Sequence, residues 1–377
     1  MRSGALRVLY VSPFAELGGA ERTVLDLLAL HDRAAVEPSI CFLRDGPLVA
    51  RCRDELGIQT SLLVAPRLRR ALKARRVVSA LANLVVAQQV DLVNSSMAWG
   101  HVYGGRAARR AGRPSVWFQQ VIPALRPLDL WAALVKTNTI IANSHFTAAA
   151  QRRLNPLRRP IAVIHLGTRL PTEPRALRRQ RGRAALGVGE GEFAVGIVGR
   201  LQRWKGQDVV LRAAASLIRA RPRSHLFVIG GSLFGLEKDF EAELRRLAQQ
   251  LGIAGQTVFT GHRDDVADCL AGLDVAVHAS VHPEPFGLVL IEAMAAGTAL
   301  VAADGGGARE IVRHGSDGLL VPPGDHEALA VALLDLCDDP PRRAVLAAAG
   351  ERTVRERFDV TRMTRSVEAL YRAVVRR

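Results

Sequence analysis

Short apolar runs rich in β-branched residues alternate with stretches of helical periodicity along the whole of this 377-residue chain. This alternation limits the fold more than any other feature. Strands that recur only after a helix have room for a crossover, so they pair in parallel under helices on both faces. The pattern predicts strands in the first half at Leu6–Ser12, Pro38–Leu43, Thr60–Val64, Asp91–Ser95, Ser115–Phe118, Thr139–Ala142 and Ile161–His165. Helical spacing lies between them, for example over Ala20–Leu30 and Thr147–Leu154. A second series follows, with strands at Phe193–Val198, His225–Ile229, Thr257–Thr260, Val275–Ala279 and Ala299–Ala302 and helices at Gln207–Ala220 and Glu237–Leu251.

Between the two series, Thr168 to Gly191 carries Pro171, Pro174, Gly182, Gly187 and many arginines. The expected organisation is α/β, with an N-terminal Rossmann-like domain over 1–170, a linker over 171–190, a C-terminal Rossmann-like domain over 191–357 and a closing helix over 358–377. Val360, Met363, Val367, Leu370, Tyr371 and Val374 mark the apolar face of that last helix. Open parallel sheets bind ligands beyond the carboxyl ends of their strands, so two such domains facing each other imply a ligand cleft.

Charge is unevenly placed. Residues 1–180 hold 27 Lys/Arg against 11 Asp/Glu, whereas residues 181–377 hold 25 of each. The whole net charge of +16 therefore falls on the first half. Such a domain suits a phospholipid-linked acceptor or an anionic membrane surface. Nucleic acid is not expected, because no aromatics interleave the basic runs. No apolar run reaches the roughly 18 residues of a membrane span. The first residues enter a strand-like segment without a cleavage site, so a cytoplasmic protein is expected, peripheral on the inner face of the membrane. Cys41, Cys52, Cys269 and Cys337 have no CxxC spacing and read as reduced thiols.

Three segments carry chemistry. Gly18-Gly19 opens a helix after the first strand, where bare backbone N–H groups and the helix dipole favour a phosphate or sugar. Strand Phe193–Val198 leads into Gly199-Arg200-Leu201-Gln202-Arg203-Trp204-Lys205-Gly206. Arg200 and Lys205 share this loop, and a departing diphosphate needs such cations as its charge grows. The third segment is His282-Pro283-Glu284-Pro285-Phe286-Gly287-Leu288-Val289-Leu290-Ile291-Glu292-Ala293-Met294. Here Glu284 falls in a loop and Glu292 in an apolar helix, so the two carboxylates can grasp two hydroxyl-bearing rings of one long ligand. The N–H groups around Phe286, Gly287 and Leu288 can meet a phosphate or sugar oxygen.

The Glu284-to-Glu292 pair with its Pro-Phe-Gly core resembles the E-x7-E motif of family 4 retaining glycosyltransferases of the GT-B fold. Gly18-Gly19-Ala20-Glu21, Ala142-Asn143-Ser144, Gly199-Arg200, Lys205-Gly206, Gly230-Gly231, Thr260-Gly261-His262 and Gly305-Gly306 through Glu310 follow in the family's order. The resemblance covers nearly the whole chain. It implies transfer of a sugar from a UDP- or GDP-sugar to an acceptor hydroxyl, in cell-envelope glycolipid or polysaccharide synthesis. By that similarity Arg200 and Lys205 bind the donor diphosphate, Glu292 the ribose and Glu284 the transferred sugar. Gly19 approaches the diphosphate, Gly231 lines the donor site, and His262 and Arg263 border the nucleobase. His101 resembles a histidine placed near the reacting sugar, so it joins Glu284, Arg200 and Lys205 as a catalytic candidate. No metal is implied. Asp264-Asp265 and Asp338-Asp339 lack ligand spacing and read as helix-start charges.

Some features leave the reading open. Gln119-Gln120 stand where many relatives carry a His-Asp-like pair, so acceptor preferences do not transfer. A glycosyltransferase with a small soluble acceptor, a retaining sugar phosphorylase, and a nucleotide-sugar sensor without turnover share most of these residues. On a helix over Arg67–Gln89, Leu68, Ala71, Leu72, Val78, Ala82 and Val85 fall on one face. Arg69, Lys73 and Arg76 lie opposite, and Arg67 and Arg75 intrude on the apolar side. Such a helix can lie in a lipid headgroup layer or pack its stripe on its own sheet.

Overall fold

The computed structural model describes residues 4–66, 70–231, 237 and 239–376. The chain forms two compact units, Met1–Gly167 with Val360–Arg377, and Thr168–Asp359.

The first unit is built on β1 (Leu6–Ser12), β2 (Val36–Phe42), β3 (Gln59–Leu62), β4 (Leu92–Ser96), β5 (Ser115–Gln119), β6 (Thr139–Ala142) and β7 (Ile161–Val163). They form one parallel sheet in the order β3-β2-β1-β4-β5-β6-β7. Helices α1 (Gly19–Leu30), α2 (Pro47–Ala50), α3 (Ala71–Ala87), α4 (Met97–Arg110), α5 (Pro127–Leu134) and α6 (His145–Arg153) lie between the strands. β2 begins two residues before its predicted start. Pro38 is tolerated inside it because β3 pairs with β2 only from Ser39 onward, which leaves a free edge at the proline. In α3 the buried residues are Ala74, Leu81, Ala82 and Val85, and they join the core beneath the unit's own sheet. The amphipathic stripe is thus used internally, although Leu72 is left 74% exposed. Arg67, Leu68 and Arg69 lie outside the described residues.

The second unit contains β8 (Phe193–Val198), β9 (Ser224–Ile229), β10 (Thr257–Gly261), β11 (Val275–His278), β12 (Ala299–Ala303) and β13 (Leu319–Val321). These are parallel throughout, in the order β10-β9-β8-β11-β12-β13. Its helices are α7 (Arg175–Leu186), α8 (Gln207–Ala220), α9 (Phe240–Gln250), α10 (Val266–Gly272), α11 (Leu288–Ala296), α12 (Ala308–Ile311), α13 (His326–Asp338) and α14 (Pro340–Arg357). Two expectations change. β13 was not foreseen, since three residues carry no readable period. The stretch expected as a linker contains α7, which packs on α10. Gly182 does not break that helix: a Cβ there would lie 2.0 Å from the Asp268 carbonyl oxygen, so glycine permits close approach.

The last helix, α15 (Val360–Val375), returns to the first unit and lies against α1. A buried polar chain ties it down. The Tyr371 hydroxyl donates to that of Tyr10 (2.9 Å), which donates to His31 Nε2 (2.6 Å). His31 Nδ1–H donates to Glu368 (2.9 Å), which also accepts the Asp32 N–H. Burial pushes the His31 imidazole below its usual range, in keeping with this neutral tautomer.

Candidate functional site

In an open parallel sheet, the chain leaves in opposite directions on either side of one strand pair, and a crevice opens there. In the second unit this switch lies between β8 and β11. The loop after β8 ends at Gly206, whose φ of 72° and a would-be Cβ only 2.1 Å from the Ala279 carbonyl oxygen leave room for glycine alone. Glycine thereby presses this loop onto the loop after β11, where the Val281 N–H donates to the Trp204 carbonyl (2.8 Å). The close approach brings the Lys205 ammonium into contact with the Glu284 carboxylate. Lys205 also lies 4.2 Å over the Trp204 ring. Burial and the neighbouring Arg200 charge push its pKa down to about 7, and the Glu284 carboxylate opposes that shift. Gln207 fixes the Arg200 carbonyl (2.9 Å).

Glu284 is buried and held from three sides. Its carbonyl accepts the Gly307 N–H (2.9 Å), and Gly306, at φ 58°, lies against its backbone. Its second carboxylate oxygen is 2.8 Å from His278 Nε2, and Ser280 Oγ is 3.0 Å from the same nitrogen. His278, the last residue of β11, was not singled out by sequence reasoning. The one available signal was a histidine closing an otherwise apolar strand. Burial, aided by the Lys205 charge, lowers its pKa to about 3, so the imidazole is neutral. Its Nε2 carries the proton, because a carboxylate only accepts.

Gly287, at φ 104°, turns the chain into α11. Glu292 is half-buried on the first turns of that helix between buried Ile291 and Ala293, and Leu288 is half-buried at its start. Phe286 is buried edge-on to Phe358, with ring centroids 5.9 Å apart, so its side chain anchors the loop. The loops after β8, β9 and β10 are also joined. The Leu201 N–H donates to the Gly231 carbonyl (3.2 Å), and the Gly230 N–H to that of Gly261 (3.0 Å). His262 is exposed beside Gly231, whereas Arg263 is paired with Asp265.

In the first unit, Gly18 caps α1 with an extended backbone that any residue adopts. A Cβ there would lie 2.7 Å from the Glu21 carboxylate, which folds back over the helix start and would have to shift. Gly19 is the first helical residue. His101 lies in α4 of the same unit. It is fully buried inside α4 and stacked on Trp117 with centroids 4.7 Å apart. Burial lowers its pKa to about 3. Its Nε2 lies 3.4 Å from the Val135 carbonyl oxygen inside the unit.

A family model described as Glycosyl transferases group 1 matches residues 178–353, and one described as Glycosyltransferase Family 4 matches residues 17–170. A D-inositol 3-phosphate glycosyltransferase of Rhodococcus erythropolis is 39% identical over 61% of this chain and 52% of its own length. The lipopolysaccharide core biosynthesis mannosyltransferase LpsB of Rhizobium meliloti is 32% identical over 51% of this chain and 55% of its own. The chain spans about half the length of such curated relatives. Among solved structures, HepE of Anabaena, in complex with UDP and glucose, is similar with a TM-score of 0.85 and 26% identity. That match covers 98% of this chain and 100% of HepE.

Proposed function

This chain belongs to the family 4 glycosyltransferases of the GT-B fold, and from that premise we propose that it transfers a sugar, with retention, from a UDP- or GDP-sugar to an acceptor hydroxyl. The observation that carries this reading is the contact of Lys205 with Glu284 across the switch between β8 and β11, beside Arg200. Cation and carboxylate stand together where a diphosphate and its sugar need them. Arg200 and Lys205 take the diphosphate, Glu284 the transferred sugar and Glu292 the ribose. Gly231, His262 and Arg263 border the base. The anomeric C–O bond to the diphosphate breaks, and the acceptor C–O bond forms on the same face. The acceptor proton passes to the departing phosphate oxygen. No metal is called on, since cations and helix N-termini offset the leaving charge. HepE, crystallised with UDP-glucose, supports a nucleotide-sugar donor.

The test is kinetic. Arg200→Ala and Lys205→Ala should each lower kcat/KM by roughly a hundredfold, about 2.7 kcal/mol. Glu292→Ala should mainly weaken nucleotide binding, and Glu284→Ala mainly turnover. Near-normal transfer by both cation variants would remove the diphosphate role.

The acceptor we propose is membrane-borne, in envelope glycolipid or polysaccharide synthesis, with the enzyme cytoplasmic and peripheral. Among the described residues no helix is long and apolar enough to cross a membrane. The lipid-facing surface that the structure favours is α5 with the turn before it. Leu125 is 81% exposed, and Leu130, Trp131 and Leu134 are also exposed. Arg126 and Lys136 flank them, while Asp129 is buried and accepts the Ala124 N–H. Apolar and cationic groups face outward and the one carboxylate faces in, which suits an anionic lipid surface. A small phosphorylated acceptor is the second reading, favoured by the name of the Rhodococcus relative.

A further inference from the structure

The first unit has a switch point of its own, between β1 and β4, and three side chains meet there. Phe14 follows β1, Arg44 follows β2, and Trp99 lies in the first turn of α4. The Arg44 guanidinium carbon is 5.4 Å from the Phe14 ring centroid and 4.8 Å from that of Trp99, and the two rings are 5.8 Å apart. Stacking of this kind fixes the guanidinium plane and leaves its N–H edge free to bind. Other stacked cations also hold an acceptor. Arg203 pairs with Glu243, Lys205 with Glu284 and Arg245 with Glu241, while Arg343 reaches the Leu336 carbonyl and Arg357 that of Glu310. Arg44 is exposed and holds no acceptor among the described residues. The adjacent Asp45 turns instead to the Gly46 N–H (2.8 Å).

A second observation comes from the start of α4. Ser96 precedes this 14-residue helix without a capping hydrogen bond, and its buried Oγ has no partner. Met97 follows at φ 53°, a left-handed conformation that a side chain adopts only under strain. The first-turn N–H groups are thus not taken by the serine hydroxyl, and the helix dipole favours a negative group there.

We propose that this crevice is a subsite for a phosphoryl group carried by the acceptor, gripped by the fork of Arg44 and the start of α4. A phosphomonoester or phosphodiester fits, since a planar guanidinium meets two phosphoryl oxygens at once. The inference rests on the glycosyltransferase reading only in calling the ligand an acceptor. The donor diphosphate belongs to Arg200 and Lys205 in the other unit.

The experiment is calorimetry on the full chain saturated with UDP, titrated with inorganic phosphate and with glycerol 3-phosphate. Wild type should bind both saturably. Arg44→Gln should weaken binding at least about tenfold, and Arg44→Lys, which keeps the charge but not the fork, should fall between. UDP affinity and melting temperature should not change in either variant. Equal phosphate binding by Arg44→Gln and wild type, or none by wild type, overturns the proposal. A parallel loss of UDP affinity in Arg44→Gln also overturns it, by making Arg44 a donor contact. If wild type fails to bind UDP, the donor reading fails, and phosphate titration of the free chain still decides the role of Arg44.

Discussion

In the proposed role Glu284 meets a sugar hydroxyl with its carboxylate in one orientation, and its two oxygens are fixed by different partners, Lys205 and His278. We expect His278→Leu to lower kcat by roughly ten- to a hundredfold, the scale of a hydrogen bond to a charged group. His278→Gln can place an amide nitrogen near the Nε2 position and should retain most activity. Equal losses in both variants, in steady-state kinetics, would assign the effect to packing. Lys205 makes a separate prediction. Its pKa of about 7 means that the free protein loses this charge as pH rises above 7, and a bound diphosphate restores it. UDP binding at pH 8 should therefore take up close to one proton, and at pH 6 almost none. Calorimetry in buffers of different ionisation enthalpy reads this directly, and proton uptake that persists in Lys205→Met would refute it. In the sequence, the meeting of Lys205 with Glu284 is legible, because a cation and a carboxylate in loops at strand ends are costly without a ligand or partner. His278 is not legible, because its role depends on a contact six residues away that only the turn creates. For His101 the sequence is silent, because a histidine early in a helix reads alike whether it faces ligand or core.

At the scale of elements, long strands and helices are legible from their period, and the failures are short or doubly used segments. β13 has too few residues to show alternation. α7 carries a glycine that looks like a break and is a packing contact. The α3 stripe has the spacing of a lipid-facing helix, but the same spacing serves its own sheet. α15 supplies the sharpest test. Glu368→Ala would leave the buried His31 N–H without an acceptor and take one from the Asp32 N–H, at a cost of roughly 2–4 kcal/mol. Tyr371→Phe should cost only about 1 kcal/mol, because Tyr10 still reaches His31. Thermal unfolding should rank them in that order, and equal melting temperatures would mean that the network adds nothing. The network also responds to acid. His31 has a folded-state pKa below its ordinary 6.5, so below that pH the unfolded chain binds more protons than the folded one. Stability should fall as pH drops through 6.5, and His31→Gln should flatten part of that fall in pH-dependent unfolding.

At the scale of the whole molecule, the charge asymmetry is plain in the sequence, but the surface proposed to meet lipid is not. Exposed Leu130, Trp131 and Leu134 lie together on α5, with exposed Leu125 in the turn before it, beside Arg126 and Lys136. Sedimentation with vesicles should show binding that requires anionic lipid and weakens above roughly 0.3 M salt, where screening falls to a few ångströms. Replacing Leu130, Trp131 and Leu134 by Ser should abolish it. Charge reversal at Arg70, Lys73 and Arg76 should only reduce it, at about 1 kcal/mol per charge. Equal binding to neutral vesicles, or no binding at all, would remove the membrane from the account. The path of the chain has one more result. The sheet of the first unit is finished by residue 167, but its covering helix begins at Val360, after the whole second unit. On a ribosome adding about 5–20 residues per second, the intervening stretch takes on the order of ten to forty seconds to make. The second unit has all its residues before the first does. For that interval the nascent chain keeps a socket at Tyr10 and His31 open for a helix still to be synthesised.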